Sequence, residues 1–207
     1  MPRLESERNG TKPVWVVLAA LACAGPAARL GAQGAARYTA ADVHFMSGMI
    51  AHHAQAVLMA GWAPTHGASA SMRALCERIV VGQRDEIALM RRWLDDRHEP
   101  GPQAGSLDSA HMMMPGMDSS MLMPGMLTAA ELQRLDDARG QEFDRLFLQF
   151  MIRHHQGAIT MVNQLFASRG AGEEEPVFRF AANVFADQTT EIERMQRMLA
   201  SLLLAAP

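Results

Sequence analysis

The sequence predicts an all-α protein, a four-helix bundle built from two copies of one helical hairpin. Three observations carry this: an internal repeat, apolar stripes at helical spacing within each copy, and the lack of alternating strand patterns. Residues 42–60 (DVHFMSGMIAHHAQAVLMA) match 144–162 (DRLFLQFMIRHHQGAITMV) at Asp42/Asp144, Phe45/Phe147, Met49/Met151, Ile50/Ile152, His52/His154, His53/His155, Ala56/Ala158 and Met59/Met161. A second segment follows each copy. QRDEIALMRRWL (83–94) matches QTTEIERMQRML (188–199) at Gln83/Gln188, Glu86/Glu191, Ile87/Ile192, Met90/Met195, Arg92/Arg197 and Leu94/Leu199.

The elements follow in order. Residues 1–34 read as a secretory signal peptide: Arg3, Arg8 and Lys12 precede an apolar run over 14–24, and small residues follow up to Ala36. The run is short for a bilayer span. Glu5 and Glu7 are atypical of a leader, so an uncleaved N-terminal anchor is the alternative. Residues 35–207 are expected to form a single domain. Its first hairpin, 35–97, opens at the capping box Thr39-Ala40-Ala41-Asp42, and Phe45, Met49, His52, Ala56 and Met59 then share one stripe. That helix should stop near Gly61. The next should cover about 71–97, with Cys76, Ile79 or Val80, Gln83, Ile87, Met90 and Leu94 inward.

Residues 98–127 form a linker with Pro100, Pro102, Pro115, Pro124 and four glycines, which cannot be helical. The second hairpin, 128–207, opens at Thr128-Ala129-Ala130-Glu131. It should hold a helix over about 129–168, broken at Gly140, and another over about 176–204 with Pro176 in its first turn.

Composition narrows the function. The 207 residues carry 19 basic and 22 acidic side chains, and the net charge of −3 gives no reason to expect a nucleic-acid partner. Two cysteines build neither a disulfide scaffold nor a Cys-rich zinc site. Removing the leader takes Cys23 and leaves Cys76 alone, so a secreted form relies on packing. The excess is in methionine, at 17 residues, and seven of these fall within 111–126: Met112, Met113, Met114, Met117, Met121, Met123 and Met126, beside His111. Packing explains methionines on such a loop poorly. Flexible thioethers with an imidazole would make a soft, open capture site for Cu(I).

Each repeat offers a second donor array on a helix. His52 and His154 lie on the inward stripe, with Met49, Met59, Met151 and Met161 one or two turns away, and His53 and His155 fall at the stripe's edge. Imidazole with thioether suits copper, with Cu(I) favoured, and bundle cores are where such sites are built. Glu86 and Glu191 can orient a ligating imidazole from behind, or pair with arginine on a solvated flank. There is no Glu-x-x-His pair for a di-iron site, no phosphate loop and no nucleophile motif. Nothing supports covalent catalysis.

These segments, with MPGMLTAAEL at 123–132, resemble the secreted bacterial family of domain of unknown function 305 over about residues 38–204. The resemblance implies a ferritin-like four-helix fold. It also implies copper binding or resistance in the periplasm, with His52, His53, His154 and His155 as signature residues and Met49, Met59, Met151 and Met161 beside them. The implied partners are a metal ion and a copper-handling protein. Two other readings stand beside this one. One is a ferritin-like oxidoreductase using another metal through Glu86, Glu191 and the histidines. The other is a metal-free module whose methionine-rich linker docks a partner.

Overall fold

The computed structural model of the chain describes residues 38–102 and 122–205. The leader and residues 103–121, with His111, Met112, Met113, Met114, Met117 and Met121, lie outside the described residues. Five helices follow in order: α1 (Ala40–Gly61), α2 (Ala70–Asp95), the short α3 (Ala129–Asp137), α4 (Gly140–Ala167) and α5 (Glu175–Ala205). All the described secondary structure is helical. The four long helices form the bundle, α1 packing on α2 and α4 packing on α5.

Local chemistry sets the boundaries. Both capping boxes form, Thr39 with Asp42 and Thr128 with Glu131, so two orphan amides at each helix start are satisfied reciprocally. Ser69 caps α2 through its side chain. The third predicted helix is two helices, because the chain is extended at Ala138 and Arg139 before α4 restarts at Gly140. His66, from the α1–α2 turn, anchors this break. Its ring Nε2 donates to the Asp136 carbonyl at 2.8 Å, and its own carbonyl accepts from the Gly140 amide at 2.8 Å.

Burial of the apolar stripes divides the core into two clusters. One joins Met59, Leu75, Cys76 and Ile79 to Phe143, Phe147, Met151 and Met195. The other joins Phe45, Met49, Ile50 and Met90 to Met161, Val162, Phe180 and Val184. The start of α1 thus packs with the end of α4 and the reverse, so the two histidine-bearing helices run antiparallel. Each helix crosses from one cluster to the other through polar residues. These are His52 and His53 on α1, Gln83 on α2, His154 and His155 on α4, and Gln188 on α5, all buried. The bundle has a polar waist.

The repeated aspartates lock the hairpins to each other. Asp42, fully buried, accepts from Thr39 N at 2.7 Å and from the Gly172 amide of the α4–α5 turn at 2.7 Å. Asp144, 2% exposed, accepts from the Ser69 amide of the α1–α2 turn at 3.2 Å. Each hairpin therefore holds the other's turn. Asp42→Ala strands a buried amide and removes half a capping box, a loss of about 1–3 kcal/mol. Asp144→Ala should lose less, because its two oxygens share one amide at the longer distances of 3.4 and 3.2 Å. Urea midpoints of the two variants check this, and equal losses would contradict the assignment.

Candidate metal centre

The waist is built from the repeat. His52 and His154 sit mid-helix on α1 and α4, where the antiparallel packing brings their rings to 3.8 Å between centroids, tilted by 36°. His53 and His155 lie beside them, 6.3 Å from their chain neighbours. Helical spacing put these two at the stripe's edge, but all four imidazoles are 0% exposed. The reason is tertiary: α2 and α5 cover that flank. Glu86 accepts from His53 Nε2 at 2.7 Å, and Glu191 accepts from His155 Nε2 at 2.6 Å. The glutamates thus face histidine, not arginine. Each repeats the same act in its own hairpin.

His52 is held differently. Its Nε2 donates to the Pro124 carbonyl at 3.0 Å. Pro124 belongs to a strap, residues 122–127, laid over α1 and α4. The side chain of Gln55 donates to the Leu127 carbonyl at 3.0 Å and accepts from the Leu127 amide at 2.7 Å. Gly125 takes φ +78°, a left-handed conformation that favours glycine. Opposite it, Gly157 has no side chain where the Pro124 carbonyl approaches, and a Cβ there would overlap that carbonyl.

An oxygen acceptor fixes the tautomer of His52, His53 and His155. A carbonyl or carboxylate that accepts from Nε2 puts the proton on that nitrogen and leaves Nδ1 of the neutral ring as a bare lone pair. Nδ1 of His52, His53 and His155 is buried with no partner, and His154 has no partner at either nitrogen. Five such atoms in one layer cost about 1–3 kcal/mol each if nothing meets them. In neutral rings four of the five are lone pairs, the form in which imidazole binds a metal, and the fifth, on His154, carries that ring's N–H. Burial, the charge of His53 and that of His155 push the His52 ring down to about 3, against a smaller rise from the Pro124 bond. Burial and the neighbouring His52 push His154 well below the ordinary value.

The thioethers divide. Met49 and Met161 belong to the cluster on one side of the waist, and Met59 and Met151 to the cluster on the other. One ion cannot gather all four. Of the linker methionines described, Met126 is half-buried. Met123 is half-buried too and packs on the core, its sulfur 3.0 Å from where a Cβ on Gly48 would stand, with the Met161 methyl 3.6 Å from the same point. Packing therefore does explain part of the linker's methionine. Met123, Met161 and His44 line one small cavity of about 110 Å³. Among the described residues no three His, Cys, Asp or Glu side chains converge to hold a metal ion. Cys76 is buried in the core, and burial, with the charge of Asp144, pushes its thiol up to about 12.

Gln83, placed inward by its stripe, and Gln188, its match in the repeat, belong to the same layer, a role that no sequence motif assigned. Both are buried, and each amide Oε1 lacks a partner. A cavity of about 250 Å³ opens between α2 and α5 over these residues, lined also by Glu86, Asp187 and Glu191. Loss of water around Asp187 and the charges of Glu86 and Glu191 hold its carboxyl above the ordinary range.

The family model described as Domain of unknown function (DUF305) matches residues 42–199. A DUF305 protein from Streptomyces coelicolor, described as secreted, is 28% identical, with 81% of this chain and 96% of that one covered and a TM-score of 0.65. A DUF305 fragment from Deinococcus radiodurans is 29% identical, covering 79% of this chain and 98% of that one at a TM-score of 0.63. CopM in its Cu(I)-bound form is 25% identical, covering 77% and 96% at a TM-score of 0.57. No curated protein matches.

His52 takes a proton near pH 3 when folded and near 6.5 when unfolded, so the unfolded chain binds more protons between those values. The metal-free protein keeps this contribution above pH 6.5 and loses it as pH falls toward 3, and His154 acts with the same sign. Urea midpoints should drop between pH 7.5 and 5 in the parent and drop less in a His52→Asn, His154→Asn variant. A parent insensitive to pH would contradict neutral buried rings. Separately, Gly157→Ala should lift the strap, and amide exchange at Leu127 should accelerate by tenfold or more, about 1.4 kcal/mol of lost protection.

Proposed function

The chain belongs to the DUF305 family, and from that premise we propose that it is a periplasmic or secreted copper-binding protein, a buffer, chaperone or resistance factor whose cargo is Cu(I). One observation carries the reading: five buried imidazole nitrogens without partners in one layer between facing helices. A packing histidine has its nitrogens satisfied. Here the hydrogen bonds that do exist orient the rings and leave the lone pairs free.

His52, His53, His154 and His155 would supply nitrogen. Met49 and Met161, or Met59 and Met151, would supply thioether sulfur from either side, and that mixture suits Cu(I). Glu86 and Glu191 orient the outer rings and keep their tautomers fixed. CopM, of the same fold, has been solved with Cu(I), Cu(II) and silver bound, which supports a metal cargo of that kind. The methionines and His111 within 103–121, with Met123 and Met126, would capture the ion and pass it on, to the bundle or to a copper-handling partner. The leader would place the protein outside the cytoplasm. Among the described residues no helix is long and apolar enough to cross a membrane.

The test is a Cu(I) titration of the mature protein against a competing chelator, read with thermal melting. Binding at the layer stabilises the fold by mass action, so Cu(I) should raise the melting temperature. Changing Met112, Met113, Met114, Met117 and Met121 together to Leu should leave that rise intact. Changing His52, His53, His154 and His155 together to Ala should abolish it. If the quadruple variant bound Cu(I) as tightly as the parent, the layer would not be the site.

A further inference from the structure

The proposed layer is sealed from solvent, since all four imidazoles are 0% exposed. A cation must reach it by some route. Over the seam between α1 and α4 the strap closes the way, its Pro124 carbonyl on His52 and its Leu127 paired with Gln55. The opposite seam, between α2 and α5, is open. Its cavity of about 250 Å³ ends on the residues that touch the layer from behind: Glu86, bonded to His53, and Glu191, bonded to His155.

We propose that this α2–α5 groove is the port through which a hydrated cation reaches the imidazole layer, drawn in by Glu86, Asp187 and Glu191. The inference rests on the copper reading and adds the path. Two independent features support it. First, Gln83 and Gln188 line the cavity, are 4% and 3% exposed, and each has a buried amide oxygen without any partner. Two orphan acceptors at the inner end of a carboxylate-lined groove suit an entering cation and its water, not an apolar guest. Second, the charge is arranged for attraction. Three carboxylates face one guanidinium, Arg78, at the groove. Wall charges of one sign raise the local concentration and on-rate of a counter-ion. The three carboxylates line the groove wall, where they steer a cation toward the layer. A neighbouring depression of about 460 Å³ shares Glu86 and Asp187, but Arg92, Arg97 and Arg179 line it too, so the excess of carboxylates is confined to the groove over Gln83 and Gln188.

Gly82 makes the route testable. It lies at the groove, and a Cβ placed on it meets nothing within 4 Å. Gly82→Phe would narrow the port without disturbing the layer. A pure obstruction slows entry and exit by the same factor and leaves affinity unchanged. Stopped-flow mixing of the full chain with Ag(I) and, separately, Cu(II) gives both rates. The expected result for Gly82→Phe is association and dissociation each slowed severalfold at constant Kd. Asp187→Asn, which keeps the groove open, should slow association at low salt. That deficit should vanish at high salt, and Asp137→Asn, the same charge change on α3, should show none.

Unchanged rates in both groove variants, with binding intact, would overturn the port and leave the copper reading standing. Failure of the parent to bind either ion would overturn both. If Gly82→Phe failed to fold, the salt-dependent deficit of Asp187→Asn would still decide.

Discussion

Four imidazoles are buried where a bundle normally places leucine, and the rest of the structure accommodates that. A polar layer across all four long helices breaks the apolar core into two clusters that do not merge. Each unpartnered nitrogen opposes folding, and low dielectric magnifies the cost. The rings of His52 and His154 therefore stay neutral, because a charge there would be costlier still. Packing on either side must hold the waist closed. Full burial of Phe143 and Phe147 on one side and of Met46, Met49 and Ile50 on the other provides it.

The duplicated hairpin supplies most of the layer in pairs. His53 with Glu86 repeats as His155 with Glu191, and Gln83 repeats as Gln188. The aspartate locks are paired as well, but they cross between the hairpins, so neither copy completes its own turn. The pairing fails at one place. There is one linker for two repeats, and its last residues lie over the α1–α4 seam. Gln55 and Gly157 occupy equivalent positions in the repeat. One reaches out to bind the strap with both ends of its amide, and the other withdraws its side chain to admit the Pro124 carbonyl. Hence His52 has an Nε2 partner and His154 has none.

This explains what could be read in the chain beforehand. The fold, the helix ends and the four histidines follow from periodicity, capping boxes and the repeat, all of which are local or self-similar. The aspartates were visible as matches, yet their role depends on an amide 130 residues away for Asp42, which no local pattern reveals. The burial of His53 and His155 was hidden for the same reason: a helical wheel gives the direction of a side chain but not what covers it. Met123 was counted with an unpacked loop because linker composition says nothing of where its end docks. The unmatched pair Gln55 and Gly157 marked the strap, and differences between repeats were the signal that could have found it.

The same geometry bears on which metal the layer would select. In a di-iron bundle, carboxylates are ligands. Here Glu86 and Glu191 are committed to imidazole protons, at 2.7 and 2.6 Å, and sit partly in solvent on the far side of the rings. The donors left unpartnered in the layer are imidazole nitrogens, with sulfur in the flanking clusters. A hard cation that prefers oxygen gains little from them, whereas Cu(I) accepts a low coordination number and favours thioether with imidazole. The oxygen-rich groove stands outside and the nitrogen and sulfur donors inside. On the proposed reading, a cation passes from a surface that attracts any positive charge to an interior that retains only a soft one, and selectivity arises from the order in which the two donor sets are met.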